Sequence, residues 1–551
     1  MLKLTNCNEP VAPLSTLRSP RVWQTILSPD LPGKIMLAQM QLNHGLVDDD
    51  EQKLDKKLMA LYGAVIAKFA ALHGDGTRCF LVRAPESLNV VGHHIRAFGG
   101  ATNGLAWCET VLCVSPRTDG KVTIAHLEDN FGSVEFDLHD GLPKARVLNW
   151  PAHVSESRTK ATASGVVVDK SKTWCGVVRN ALQYYVNRHK GPTGQVELPI
   201  SGLNIVVGAI RPKGTTSHSE TTLAAAALVA VMASTGEWGK MPLSEFETWV
   251  NEAQFGGHGR RCETGPIVFG MPNELIHIDW NPARAKGKAL PHGFSFLTAH
   301  TGPIKDPAHS KDTVDALKTP SVRAATTTYA LELFRHVALE SKIVPLNDED
   351  VYSILLQIPE RATLAQLKDL LKGALPKTSA HPEPADGYNL REKLLFVLSE
   401  MRRSDRAANV IRSGDAAAFG ALMTIGQAGE ANIFHDVAPM GRIAGTFAIP
   451  SYACDETIHS LADNVDPLWK QTGKSGASSP ETDLICDVAT AITGVLGARY
   501  CDPMRVVILC KTEVLQIVKD ELVSSYYTPR GLPTDLIEQV YPCQGAGVVA
   551  I

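Results

Sequence analysis

The most apolar helical stretch of the chain, Leu223 to Ser234, runs for about 12 residues, short of the ~20 needed to cross a bilayer. It must therefore be housed in a protein interior, and 551 residues supply ample chain for a large buried core. Leu203 to Ile210 just before it reads as a buried strand. The turn-rich segment Arg211 to Glu220 then runs straight into an apolar helix, Thr221 to Met232. Apolar residues make up 44% and charged residues 20%, a globular mixture that excludes disorder as the main state. A net charge of −4 gives no basic excess, so a dedicated nucleic-acid binder is not expected. The N-terminal residues lack an apolar signal core and carry Glu9 and Pro10 early. Eleven cysteines at irregular spacings, none in Cys-x-x-Cys, read as reduced, mostly buried thiols. The expectation is a cytoplasmic protein without membrane or nucleic-acid partners, and without a disulfide frame or zinc site.

Residues 1–50 are Pro-rich and weakly periodic, an irregular arm. Asp48 to His73 carries apolar residues at helical spacing. Short alternating runs at Arg78 to Ala84, Ala106 to Ser115, Lys121 to His126 and Ser133 to Leu138 predict a mixed or antiparallel sheet. Trp174 to Arg188 reads as a helix, and so does Ser244 to Phe255 with Ser244 as its N-cap. Strands are expected at Ile276 to Trp280 and Gly293 to Ala299. From Ser321 the pattern turns helical: Ser321 to Leu339, Asp348 to Leu355, Thr363 to Leu371 and Leu390 to Met401. Loop-like inserts follow near 375–388 and 431–480. The end alternates: a helix near Glu481 to Leu496, a strand Val506 to Cys510, a helix Glu513 to Tyr526 and a last strand. The layout is α+β, with two lobes meeting near residue 320.

Three segments carry residues suited to chemistry. Arg211 to Glu220 brings Gly214 and the hydroxyls of Thr215, Thr216, Ser217 and Ser219 to a helix N-terminus, where unpaired N–H groups and partial positive charge favour phosphate. A second reading is open: Ser217 and Glu220 match a capping box, which closes a helix with no ligand. Gly256 to Gly265 sets four glycines beside Arg260, Arg261 and Glu263. That set suits cationic help to a transferring phosphoryl group and a carboxylate that orients or deprotonates a hydroxyl. The alternative is a solvated surface loop. Arg83 to Gly100 crowds His93, His94 and Arg96 before a Gly-Gly, and adjacent histidines point apart on an extended chain, which disfavours a shared metal.

Taken in order, these segments resemble the galactokinase branch of the GHMP small-molecule kinases. Arg83 to Gly100 follows that family's first motif without a gap, matching at Arg83, Ala84, Pro85, Asn89, Gly92, His94, Gly99 and Gly100. Pro212, Gly214, Ser219 and Leu223 retain part of the phosphate loop, and Phe269-Gly270 closes the segment that holds the family's catalytic carboxylate. Asp415 to Met423, Gly494 to Arg499 and Tyr526 to Leu532 are similar to galactokinase-like sugar kinases as well, so the likeness spans roughly 55–551. It implies a two-lobed GHMP-kinase fold. Residues 51–320 would form an N-terminal mixed-sheet lobe with the phosphate loop near 211–222. Residues 321–551 would form a C-terminal helical, ferredoxin-like lobe.

The functional letters depart from the family. Its catalytic arginine falls on Ser87, its catalytic aspartate on Glu263 and its metal-binding glutamate on Asn251, with Glu252 adjacent. Its acidic sugar ligands fall on His93 and Arg96, and its third glycine-rich motif is reduced to Tyr500 to Arg505. The resemblance implies ATP and Mg²⁺ as cofactors and phosphorylation of a monosaccharide other than galactose, an acidic sugar by charge complementarity. Glu263 would serve as base with Arg260 and Arg261 as cationic help. Gly214, Thr215, Thr216, Ser217, Ser219 and Glu220 would hold the nucleotide, His93, His94 and Arg96 the sugar, and Ser219 and Glu252 the metal. A monomer or weak homo-oligomer is expected. A catalytically inactive relative with a regulatory or binding role is the competing expectation.

Overall fold

The computed structural model describes residues 17–28, 36, 38, 40–41, 52–95, 99–163, 173–191, 195–196, 202–254, 261–280, 283–302, 320–343, 347–378, 380–431 and 453–549. The chain divides into two compact units, one comprising 1–89, 104–289 and 541–551, the other 90–103 and 290–540.

The first unit is built on an eight-stranded sheet. Its main path runs Gly547–Val548, Phe80–Val91, Thr102–Pro116, Leu203–Ile210, Lys121–His126 and Ser133–Asp137. Glu274–Trp280 also pairs with Thr102–Pro116 and carries Ala283–Ala289 beside it. Lys121–His126 lies parallel to Leu203–Ile210 while the other registered pairs are antiparallel, so the sheet is mixed as expected. Side chains alternate across a strand. Val82, Leu112 and Val207 therefore enter one core with the helices Thr173–Arg188 and Glu220–Ser234. Leu81, Val111 and Val206 enter a second core with the helix Gln52–His73. Both faces are covered, which is why these strands read as nearly continuous apolar runs.

Within the first core, every residue of Glu220–Ser234 from Thr221 to Ala233 is buried. A helix apolar on all sides is stable only where protein surrounds it. No helix among the described residues is long and apolar enough to cross a membrane. Arg83, also buried, pairs with Glu109 at 3.0 Å and donates to the carbonyls of Gln544 and Gly545, which ties 541–551 to its strand.

The second unit sets a four-stranded antiparallel sheet, ordered Val495–Asp502, Arg505–Lys511, Phe294–His300, Ile537–Val540, against Pro480–Thr490 and Leu515–Leu522. A further core joins Pro320–Glu340, Asp348–Leu356 and Leu390–Arg412. The helix Ala416–Glu430 reaches the sheet by close backbone approach. A Cβ at Gly420 would meet the Leu496 backbone, and one at Gly497 would meet that of Gly420. Gly497→Ala is expected to cost ~1–3 kcal/mol through overpacking, read as a fall in the urea midpoint. An unchanged midpoint would mean that helix and strand can part without penalty.

Several boundaries differ from the sequence reading for identifiable reasons. Ala283–Ala289 was not expected, because ARAKGKA alternates charged residues only with alanine or glycine and lacks the β-branched and aromatic residues that mark a strand. The helix expected to start at Ser244 is Leu243–Ala253, with Pro242 at its N-cap position. Leu390–Arg412 continues past Met401 because Arg403 and Ser404, polar in sequence, are buried. The helix expected to reach Leu496 stops at Thr490, and Gly494, at φ +98°, turns the chain into the next strand. Part of the second insert is ordered as the helix Asp455–Asp463.

Candidate functional site

In the first unit, the strand Leu203–Ile210 feeds a loop whose Pro212 carbonyl accepts from the Thr215 N–H and whose Gly214 has φ +77°. The helix then starts at Glu220, and Ser219 is its cap, its hydroxyl accepting from the Thr222 N–H at 3.2 Å. The capping box expected at Ser217 and Glu220 is thus corrected: the cap is Ser219, two residues further on, and Glu220 lies inside the helix. Glu220 is the first helical residue, where a carboxylate favours the helix dipole. Gly214, Thr216, Ser217 and Glu220 are exposed, while Thr215 and Ser219 are half-buried.

The first helical turn draws the other segments to itself. The Thr222 hydroxyl donates to the Pro85 carbonyl at 2.9 Å, and the Thr221 hydroxyl donates to Glu263 Oε2 at 3.4 Å. The Gly-rich stretch becomes helical at Arg261–Phe269, which sets Glu263 in a first turn. Gly265 is needed there, since a Cβ would press on Ile278 and Trp280. The structure therefore brings Pro85, Thr221, Thr222 and Glu263 together. Ser87, where the resembled family has arginine, has a buried hydroxyl without a hydrogen-bond partner. Arg260 lies outside the described residues, and so does the side chain of Arg261. The Glu252 carboxylate accepts from the Tyr184 hydroxyl at 2.5 Å, and Asn251 accepts from Thr264 at 2.8 Å. No group of three metal-ligating side chains occurs among the described residues.

Next to the loop is a pair that the sequence did not signal, because its members stand 92 positions apart. His126 Nδ1 accepts from the Glu128 N–H, which leaves the proton on Nε2 to be donated to His218 Nε2 at 2.8 Å. Phe131 and Trp174 pack around both rings, and Arg211 stands over Phe131 while pairing with Glu128 at 2.8 Å. Burial holds His126 down to about 4, and burial with the nearby His126 and Arg211 holds His218 down to about 3. Both histidines are thus neutral when folded and take up protons more readily when unfolded. Their contribution is fully present above about pH 6.5 and is lost as pH falls toward 4, at up to ~1.4 kcal/mol per pH unit for each. Unfolding midpoints measured from pH 7 to 4 are expected to fall accordingly, and less steeply in His218→Asn. A flat wild-type profile would contradict the pairing.

In the second unit, the Gly92 and His93 N–H groups donate to Glu400 Oε1 at 2.7 and 3.3 Å. His93 is buried, its ring edge-on to Tyr500. His94 sits at φ +62° with its ring stacked on Tyr500 and its Nε2 3.9 Å from Glu430. Arg96 lies outside the described residues. Glu400 pairs with Arg403 at 2.8 Å and Arg499 at 2.7 Å, all three fully buried. Sequence reading missed Glu400, Glu430 and Lys393 as members of one cluster, since helix periodicity assigns them no shared site.

The structure is similar to galactokinase from Lactococcus lactis complexed with galactose, at 15% identity and a TM-score of 0.52, covering 88% of this chain and 98% of that one. The chain has the GHMP-kinase fold. Other structures overlap less. A D-glycero-D-manno-heptose 1-phosphate kinase from Bacteroides thetaiotaomicron is 8% identical at TM-score 0.42, covering 86% of this chain and 99% of that one. Homoserine kinase from Cytophaga hutchinsonii is 12% identical at TM-score 0.40, covering 86% and 97%. No family model matches the chain. On this GHMP-kinase fold, the segment read as the phosphate loop enters a buried helix, and the carboxylate at Glu263 stands by that helix's first turn.

Proposed function

We propose that the protein is an ATP-dependent kinase that transfers the γ-phosphoryl group to a hydroxyl of a monosaccharide other than galactose. The single observation that carries this reading is the meeting of Pro85, the first turn of Glu220–Ser234 and Glu263. An exposed loop with a left-handed glycine, ending at a helix N-terminus, fits phosphate oxygens approached by backbone N–H groups. The residues around 214–219 would hold the nucleotide. Tyr184 takes one oxygen of Glu252, and the exposed carboxylate of Glu220 at that helix start is a further partner, beside Ser219 and Glu252, for magnesium, which typically binds through one or two carboxylates and the phosphates themselves. Bound Mg-ATP supplies the transferable phosphoryl group and neutralises charge that develops on it.

The chain's own residues would do the rest. Glu263 orients the acceptor hydroxyl and takes its proton as the oxygen attacks, and the Thr221 hydroxyl holds that carboxylate in place. In the resembled motif Ser87 replaces an arginine, so cationic help must come from elsewhere, with Arg260 and Arg261 just before Glu263 in sequence. Thermal-shift titration with Mg-ATP tests the reading. Nucleotide at about 100 times its Kd adds ~2.7 kcal/mol of stability. A screen of neutral and acidic sugars for phosphate transfer follows. No shift with Mg-ATP and no transfer would overturn it.

One observation favours the second reading, a binding protein without catalysis. The segment resembling the third glycine-rich motif is the tight hairpin Tyr500 to Arg505, where Asp502 and Arg505 pair across the turn at 3.4 Å. Side chains stand where that family's motif offers bare backbone. Sugar binding without Mg-ATP binding is its signature.

A further inference from the structure

The loop that leads into Glu220–Ser234 is held at both ends by one short segment of the first unit. Lys121–His126 runs parallel to Leu203–Ile210 with His126 opposite Val207, and the Leu127 N–H donates to the Val207 carbonyl at 2.7 Å. Residues 126–128 therefore lie alongside the strand end from which the loop departs. At the loop's start, Arg211 Nη2 lies 2.8 and 2.9 Å from the two carboxylate oxygens of Glu128. At its end, His218 meets His126 with 2.8 Å between the two Nε2 atoms. Residues 212–217 span the gap, and Gly214, Thr216 and Ser217 among them are exposed.

The two anchors are coupled. His126 Nδ1 accepts from the Glu128 N–H at 2.9 Å, which aims the protonated Nε2 at His218. Arg211 stands over the Phe131 ring, and the same ring packs on both histidines at centroid distances of 4.2 and 5.2 Å. Trp174 donates its indole N–H to the Phe131 carbonyl at 3.0 Å and meets His126 edge-on. Both histidines are buried, so water competes little for the hydrogen bond between them. A stretch of exposed small and polar residues has little packing of its own to select one shape. Backbone N–H groups that are to receive phosphate must be ordered beforehand, or the ordering is subtracted from affinity.

We infer that His126 and Glu128 are positioning residues for the loop Arg211 to Glu220, holding it in the conformation whose backbone can receive phosphate oxygens. They act through the loop and not on the ligand, and Arg211 serves as an anchor. The role rests on the kinase reading for the identity of the ligand, whereas the shape of the loop can be measured without it.

Hydrogen–deuterium exchange on the full chain without nucleotide reads the loop, and Mg-ATP titration with steady-state kinetics reads the consequence. In His126→Phe, which keeps a ring in place, exchange across residues 211–222 is expected to rise roughly tenfold while the sheet of the first unit stays protected. Mg-ATP affinity is expected to fall in step, roughly tenfold where the competent loop drops to about a tenth of the population. Saturating nucleotide restores the loop, so KM for ATP rises while kcat and KM for the acceptor stay within about twofold. His126→Gln sets an amide near the place of Nε2 and is expected to recover much of the loss. His126→Asn reaches only the place of Nδ1 and is expected not to. Glu128→Ala removes the other anchor and is expected to loosen the loop about threefold, as befits a partly exposed ion pair. Its side chain is 42% exposed, so this variant keeps the test decisive if His126→Phe does not fold.

Unchanged loop exchange in these variants would overturn the assignment. So would exchange that rises equally throughout the unit, a fall in kcat or acceptor affinity as large as that for ATP, or equal behaviour of the Gln and Asn variants. A wild-type chain that binds no Mg-ATP but shows the loop-confined rise sinks the kinase reading and keeps the anchors. Wild-type phosphoryl transfer with variants that match it does the opposite.

Discussion

Glu263→Gln is expected to lower phosphoryl transfer by roughly 10²–10⁴-fold, the usual worth of a positioned general base, while Mg-ATP affinity changes by no more than a few-fold. The amide keeps the size of the side chain and can still bond Thr221, so the fold and the helix start at Glu220 are retained. What disappears is the capacity to accept the acceptor's proton. Glu263→Asp shortens the arm by one methylene but keeps the carboxylate, and it should retain more activity than Glu263→Gln. Steady-state rates with Mg-ATP and the best acceptor, together with nucleotide titration of each variant, check this. Full activity of Glu263→Gln would remove Glu263 from the chemistry.

The largest stability effect is expected at Glu400. Its carboxylate faces Arg403 and Arg499 with no solvent contact and accepts from the Gly92 N–H. Glu400→Gln removes the paired charge from buried Arg403 and leaves buried Arg499 only Glu430 at 3.6 Å, and breaking a buried pair typically costs ~3–5 kcal/mol. Although burial alone would raise it, the two arginines win, and the carboxyl is held down to about 2. A carboxyl with a depressed folded pKa contributes stability that is present above about pH 4.5 and lost as pH falls toward 2. Acid unfolding should therefore proceed in two windows, the histidine pair between pH 6.5 and 4 and Glu400 below that. Urea titration at pH 7 measures the first effect, and a loss below ~1 kcal/mol in Glu400→Gln would show that water or rearranged partners compensate the arginines.

Much of the fold was legible because it is written in periodicity. The strand Leu203–Ile210 and the apolar helix after it carry their burial in every residue, and the helix Gln52–His73 carries it at helical spacing. Elements held by polar burial were not legible. Arg403 and Ser404 look solvated in sequence, yet they continue a helix through the interior. Ala283–Ala289, an edge strand alternating small and charged residues, lacks β-branched and aromatic residues and is fixed by its register with Glu274–Trp280. Of the candidate site, the order of the segments could be read, whereas the contacts of Thr222 with Pro85 and of Thr221 with Glu263 are visible only in the structure. The pair His126 and His218 could not, nor could the grouping of Lys393, Glu430 and Arg499, because each depends on contacts between distant segments.

By itself the sequence determined the α+β layout and the buried helix, since hydrophobic patterning and helix-end chemistry are local properties of the chain. Only the tertiary structure decided which polar groups lose their water and what then balances them. Desolvation belongs to a place rather than to a residue type. The same glutamate letter gives a fully partnered ion pair at Glu400 and, among the described residues, no hydrogen-bond donor to Glu430.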